Sequence, residues 1–241
     1  MDSPEQFPVE LGFRMRGAGI SRIDVFSDVV FAFALVLLAV SLTIPKNSRE
    51  PQDSILSMVT CAVCFAMILG GWFSHYVFFR RYGLRDRVTI ILNSCLLFLI
   101  LFCVYPLKFL FATISGYLFR DSSATWLATA VQINGRLMLY ALGFSAVFIL
   151  IGALYWNAWR QRDALALNGI ERLLTVSSII DSLGLICIGL LAALTALVLP
   201  PSWSVYSALL YLLIAPWKTL GRVYFGRKAR TLHKLVTAPT L

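Results

Sequence analysis

Apolar and polar positions alternate along this chain in long blocks. Runs close to the roughly twenty residues that cross a bilayer recur at about 22–44, 55–80, 88–112, 133–158, 172–199 and 203–222. The pattern predicts an all-α, polytopic membrane protein of six transmembrane helices, one membrane domain over residues 1–241 with no soluble domain, linker or low-complexity segment. The first run is the most sharply bounded. Ser21 stands at its N-cap position with Asp24 three residues on, and Pro45 and the polar stretch Lys46–Asp53 end it. Between Val29 and Ile44 only Ser41 and Thr43 are polar. In the fourth run Gln132, Asn134 and Arg136 delay the entry into lipid until about Leu137. The sixth is short of uninterrupted apolar length, with Trp203 and Trp217 placed as interface anchors and Lys218 and Arg222 able to snorkel. The basic tail from Arg222 to Lys234 is expected to continue as a surface helix.

Composition strengthens this picture. The 241 residues are 59% hydrophobic and only 14% charged, and the mean hydropathy is +0.79. Residues 1–20 have no apolar core of signal-peptide length, so the first helix is expected to serve as its own insertion signal. The net charge of +9 would raise nucleic acid as a partner for a soluble protein. Here the cations fall between apolar runs, so lipid headgroups are the expected neighbours and nucleic acid is not. With both termini cytoplasmic, Lys46, Arg49, Lys108, Arg120 and Arg136 lie outside and the other sixteen of the 21 Lys and Arg residues lie inside. That asymmetry fits a multi-pass protein of a cell membrane.

Signatures of catalysis are missing. The sequence has no G-x-G-x-x-G, Walker loop, H-E-x-x-H or G-x-S-x-G, and its two histidines, His75 and His233, lie far apart. No enzyme, catalytic residue, metal or cofactor is expected. Cys61 and Cys64 have C-x-x-C spacing inside an apolar run, where they read as small packing residues. The T-V-G-Y-G string of carbonyl-lined potassium filters does not occur.

Polar residues at membrane depth are what remains. Asp24, Ser27 and Asp28 share one face at the start of the first helix. Trp72 and His75 share a face late in the second run, with Phe79 a turn further, and Asn93 enters the third at a similar depth. Arg22, Asp24, Asp28, His75 and Asn93 can thus meet in one inner-leaflet layer. Two readings fit: a buried network that fixes helix packing, or direct contact with a permeating ion. Asp181, about ten residues into the fifth run, is an intramembrane acid of unknown role with Ser177, Ser178 and Ser182 nearby as possible partners. Since nothing in the second half repeats Arg22–Asp28, a pore lined by the first helix needs several copies of the chain around an axis.

The string Arg22-x-x-x-Phe26-Ser27-Asp28 resembles the R-x-x-x-F-S-D signature of the transmembrane protein 175 potassium-channel family. Trp72-x-x-His75, Phe79, Asp86, Asn93 and Pro106 follow the same pattern, and Leu154-Tyr155-Trp156-Asn157-Ala158-Trp159-Arg160 is similar to bacterial members. The resemblance implies a homotetramer passing potassium or other monovalent cations, with four first helices lining a pore that lacks a conventional filter. It puts the main constriction five residues after Asp28, at Phe33, with Val36, Leu37 and Val40 along the path beyond and Arg22, Ser27, Asp28, His75 and Asn93 as the supporting network. On spacing alone, the stripe of Phe33, Val36 or Leu37, Val40 and Ile44 fits packing as well as a pore. This chain departs from the family at Val29, where Gly is common, at Val36, where a hydroxyl residue is common, and at Ser41, in place of a common Glu. The resulting all-apolar stripe is expected to gate a potassium leak by dewetting. The alternatives are a proton-coupled secondary transporter using Asp28 or Asp181, and a non-conducting membrane scaffold.

Overall fold

The computed structural model describes residues 8–10, 13–17, 19, 21–40, 51–118, 126–200 and 205–237. Helices dominate: α1 (Arg22–Val40), α2 (Pro51–Tyr82), α3 (Arg87–Leu118), α4 (Trp126–Arg160), α5 (Gly169–Val198) and α6 (Ile214–Thr237). Among the described residues four segments are long and apolar enough to cross a membrane: Arg22–Val40, Arg87–Val104, Leu137–Arg160 and Gly169–Val198.

Local chemistry sets the ends. Ser21 and Asp24 cap α1 reciprocally: the Asp24 amide donates to Ser21 Oγ (3.2 Å) and the Ser21 amide to Asp24 Oδ2 (3.0 Å). Residues 41–44, the expected end of the first run, lie outside the described residues. Pro51 opens α2, where its missing N–H has no helical partner to lose. The helix therefore takes in residues 51–53, which the polar pattern assigned to a loop. It stops at Gly83, whose φ of +58° is left-handed and whose amide returns to Phe79 O at 2.8 Å. A Cβ at Gly83 would also stand 2.9 Å from Arg16 O, so the turn needs glycine twice over.

Two features depart from the expected pattern. The sixth run is not one α-helix: Val205–Leu213 is a 3-10 segment, and α6 starts only at Ile214. Pro216 falls in the first turn of α6, the one place where a residue without N–H leaves the ladder intact. From there α6 runs through the basic tail to Thr237. The second departure lies before α1, where Val9–Glu10 pairs antiparallel with Phe13–Arg14. This hairpin docks on the end of α2: Gly17 N donates to Arg80 O (3.0 Å), and buried Phe13 meets Tyr82 edge-on at 5.4 Å.

In space α1 packs on α2 and α3, α4 joins α3 to α5, and α6 lies against α5. Aromatic and aliphatic side chains fill the joint where α2, α4 and α5 converge: Phe78, Tyr82, Leu154 and Tyr155 are all buried there. The Tyr82 hydroxyl is satisfied by Thr175 Oγ1 at 2.8 Å.

Candidate functional site

α1 carries two opposed faces. Ser27, Phe31, Ala34 and Leu38 are buried, spaced so that they share one side of the helix. Shifting each by two residues gives Val29, Phe33, Val36 and Val40, a rotation of about 200°. Those four are 61%, 55%, 54% and 77% exposed, and Leu37 beside them is 38% exposed. The first row anchors the helix, and the second is a continuous apolar edge that no described residue covers.

Buried hydrogen bonds hold the anchoring face. His75 Nε2 lies 2.7 Å from Asn93 Oδ1, and Asn93 Nδ2 donates to Ser27 Oγ at 3.0 Å. The Ser27 hydroxyl donates in turn to Ile23 O at 2.8 Å. Because the Asn93 amide gives its N–H to Ser27, its oxygen accepts, so His75 Nε2 carries a proton. Donors and acceptors line up in one direction across α2, α3 and α1, an arrangement in which each bond polarises the next. Phe31 and Phe79 enclose the imidazole, with centroids 5.5 and 4.6 Å away.

The remaining polar residues of this layer sit apart from that chain. Asp28 is exposed and accepts from Trp72 Nε1 at 2.7 Å. Asp24 serves the helix cap, with its Oδ1 left unpaired. Arg22 is exposed at the rim, and its side chain forms no hydrogen bond or ion pair among the described residues. Asp24, Asp28, His75 and Tyr76 line a cavity of about 700 Å³ between α1 and the end of α2. Trp72 thus has a role that its position in the motif only hinted at: it ties Asp28 to α2.

Other polar clusters lie where little in the sequence points to them. Glu171, fully buried at the first turn of α5, accepts from Arg14 Nη2 (3.0 Å) and Arg16 Nη2 (2.8 Å) while capping its own helix with Asn168. Asn168-x-x-Glu171 has capping-box spacing, the one local sign of this joint. The pairing also raises the Arg14 guanidinium above its usual range. At the α2–α3 turn, Asn157 Nδ2 bridges Thr89 Oγ1 (3.0 Å) and the Asp86 carboxylate (3.2 and 3.3 Å). Burial alone would raise Asp86, but hydrogen bonds from Thr89, Asn157 and Gln161 outweigh it and hold the carboxyl below its usual value. A depressed carboxyl contributes stability that is complete above its unfolded pKa and lost as pH falls through the folded one. Between about pH 5 and 3, thermal midpoints of the wild type should therefore fall more steeply than those of Asp86→Asn; parallel curves would remove Asp86 from the acid response.

Asp181 lacks the expected serine partners. Ser178 and Ser182 donate to the carbonyls of Leu174 and Ser178 on their own helix (3.1 and 2.9 Å), as serines in helix interiors do. Asp181 Oδ1 is buried and unpaired, with Lys218 and Arg222 of α6 as its charged neighbours.

Apolar helices of bilayer length, tied together by a buried polar chain at the foot of the first, define a multi-pass helical membrane protein. Residues 22–106, which begin at the Arg22 signature, match the family model described as "Endosomal/lysosomal potassium channel TMEM175". A relative from Marivirga tractuosa named "Potassium channel" is 36% identical over 234 residues, 92% of this chain and 94% of its own. A crystal structure of the potassium channel MtTMEM175, a point variant in complex with a nanobody fusion protein, superposes with a TM-score of 0.72 at 35% identity, covering 92% of this chain and 99% of that one. The TMEM175 homologue from Chamaesiphon minutus shares the fold, at a TM-score of 0.54 and 21% identity. The chain belongs to the TMEM175 potassium-channel family, whose members are channels and not enzymes.

Proposed function

We propose that the chain is the subunit of a homotetrameric potassium leak channel of a cell membrane. Each copy crosses the bilayer six times with both termini cytoplasmic, and four α1 helices surround the pore. The observation that carries this reading is the opposition of the two faces of α1. One face is hydrogen-bonded and packed, and the other leaves Val29, Phe33, Val36 and Val40 uncovered along the length of the helix. Bringing four such edges to one axis covers them and makes a conduit. Phe33 then forms the main hydrophobic ring, Val36, Leu37 and Val40 line the path beyond, and gating is by dewetting, with no carbonyl filter. Ser27, His75 and Asn93 fix the rotation of α1, Asp28 ties it to Trp72, and Arg22 marks the cytoplasmic rim. The relatives' names as potassium channels support the choice of ion.

Flux from potassium-loaded liposomes tests this. Purified tetramers should release potassium passively, without saturation and without need of a pH gradient, and should retain N-methylglucamine. Saturable uptake driven by a pH gradient would replace the channel with a transporter. Folded tetramers that pass no cation would make the assembly a non-conducting scaffold.

A further inference from the structure

α6 meets α5 through a close seam. The Trp217 indole rests on Gly184, and Gly221 brings the α6 backbone against Asp181, where an added Cβ would stand 2.8 Å from Oδ1. Lys218 and Arg222 each follow one of these contacts by one residue and lie four apart, so both project to the same side of the seam. From the opposite side Arg81, at the end of α2, reaches the same space. Its guanidinium carbon lies 5.2 Å from the centroid of the Phe13 ring, and its Nε is buried without a hydrogen-bond partner. These three cations, Asp181 and Ser177 line one cavity of about 450 Å³ between α2, α4, α5 and α6.

The charges in this cavity do not balance. Three cations face one carboxylate, and none of the three takes part in the ion pairs among the described residues. Arg81 and Lys218 are half-buried and Arg222 is exposed at the mouth, so the three concentrate positive charge at a site where one carboxylate offsets only part of it and an anion is favoured. Ser74, Ser178 and Ser182 add hydroxyls to the wall, and Phe73, Phe148 and Leu185 are among its apolar side chains. A group that fits must therefore be anionic at one end and apolar at the other. We propose that the cavity binds the phosphate of an anionic phospholipid headgroup. Arg81, Lys218 and Arg222 take the phosphodiester oxygens, and the acyl chains leave along Phe73, Phe148 and Leu185. Basic pockets between membrane helices suit such headgroups. No α1 residue lines the cavity, so the site stands whether or not α1 lines a pore.

Retention of a fluorescent phosphatidylglycerol by the purified full-length chain in detergent is the test, with the melting temperature of each variant measured without added lipid. Phosphatidylglycerol should be held well over phosphatidylcholine, and retention should fall about fivefold for each charge removed in Arg81→Gln, Lys218→Gln and Arg222→Gln. Arg227→Gln/Lys228→Gln, on the same helix but outside the cavity, should leave it unchanged. Asp181→Asn deletes the one internal counter-charge and should tighten retention about fivefold, a gain that an unfolded variant cannot mimic. Equal retention of phosphatidylcholine, unchanged binding in all three cation variants, or weaker binding by a normally melting Asp181→Asn would each overturn the proposal. Displacement of the lipid by millimolar inorganic phosphate would overturn the lipid as source and assign the cavity to free phosphate.

Discussion

Replacing Glu171 by alanine should cost on the order of 3–5 kcal/mol, the scale for stranding one side of a buried ion pair. The carboxylate is fully buried and accepts from Arg14 through its backbone amide, Nε and Nη2, from Arg16 through Nη1 and Nη2, and from Asn168 N. Alanine removes all of these acceptors at once. The Arg16 side chain is only 9% exposed and would lose both its Glu171 bonds, whereas that of Arg14, at 21%, can turn partly to water. Half of the α5 capping box is lost in the same step, because Asn168 N loses its partner while Asn168 Oδ1 still accepts from the backbone amide of residue 171. From the other side the hairpin is held on the end of α2 by backbone bonds to Arg80 and Arg81 and by Phe13. Two measurements check this: a fall in the thermal midpoint in detergent, and new protease cleavage among residues 8–17 below that midpoint. Added salt should change the wild type little, since so buried a pair is poorly screened. An unchanged midpoint with no new cleavage would reduce the cluster to a surface contact.

The second large effect concerns α1. Phe33→Ala should raise potassium flux through assembled tetramers on the order of tenfold, equivalent to removing about 1.4 kcal/mol of barrier. In the proposed tetramer a ring of four phenyl groups would make a narrow apolar neck that water leaves readily, and methyl groups would leave it wide enough to stay wet. The change should hardly affect the fold of one subunit, because Phe33 is 55% exposed within the chain. Phe31→Ala provides the contrast two residues away. Phe31 is buried against the His75 ring, so its removal should cost about 3–5 kcal/mol of stability and leave the flux per intact tetramer close to normal. Equal flux from wild type and Phe33→Ala would place the constriction elsewhere.

Both effects depend on contacts that differ in how far apart they lie along the chain, and this decides what could be read in advance. The apolar runs, the Ser21 and Asp24 cap and the stripe of Phe33, Val36 and Val40 are displayed directly by the sequence, whereas the buried row of Phe31, Ala34 and Leu38 opposite was not legible because α1 is apolar on every side. The meeting of His75 with Asn93 was legible because both sit at similar depth on consecutive helices. Arg14 and Arg16, by contrast, look like ordinary orientation charges; their partner lies more than 150 residues away. The serines around Asp181 misled for a different reason. In sequence they are the nearest donors, but a helical serine reaches its own backbone more easily than a neighbour one turn away. The real surroundings of Asp181 come from α6, which begins at Ile214 only after the 3-10 segment Val205–Leu213.

The one-way hydrogen-bond chain from His75 to Ile23 makes Ser27 a hinge pin. Spinning α1 on its own axis would tear Asn93 from Ser27, whereas a tilt about Ser27 would keep that bond and slide Phe31, Ala34 and Leu38 over α2 and α3. Val40 lies thirteen residues further along, about 20 Å at the helical rise. A tilt of about 10° would therefore carry Val40 roughly 3 Å, but Phe33, less than half as far out, only about half that distance. Any such tilt would make the helix a lever whose short arm bears the phenylalanine, with the larger displacement at its far end.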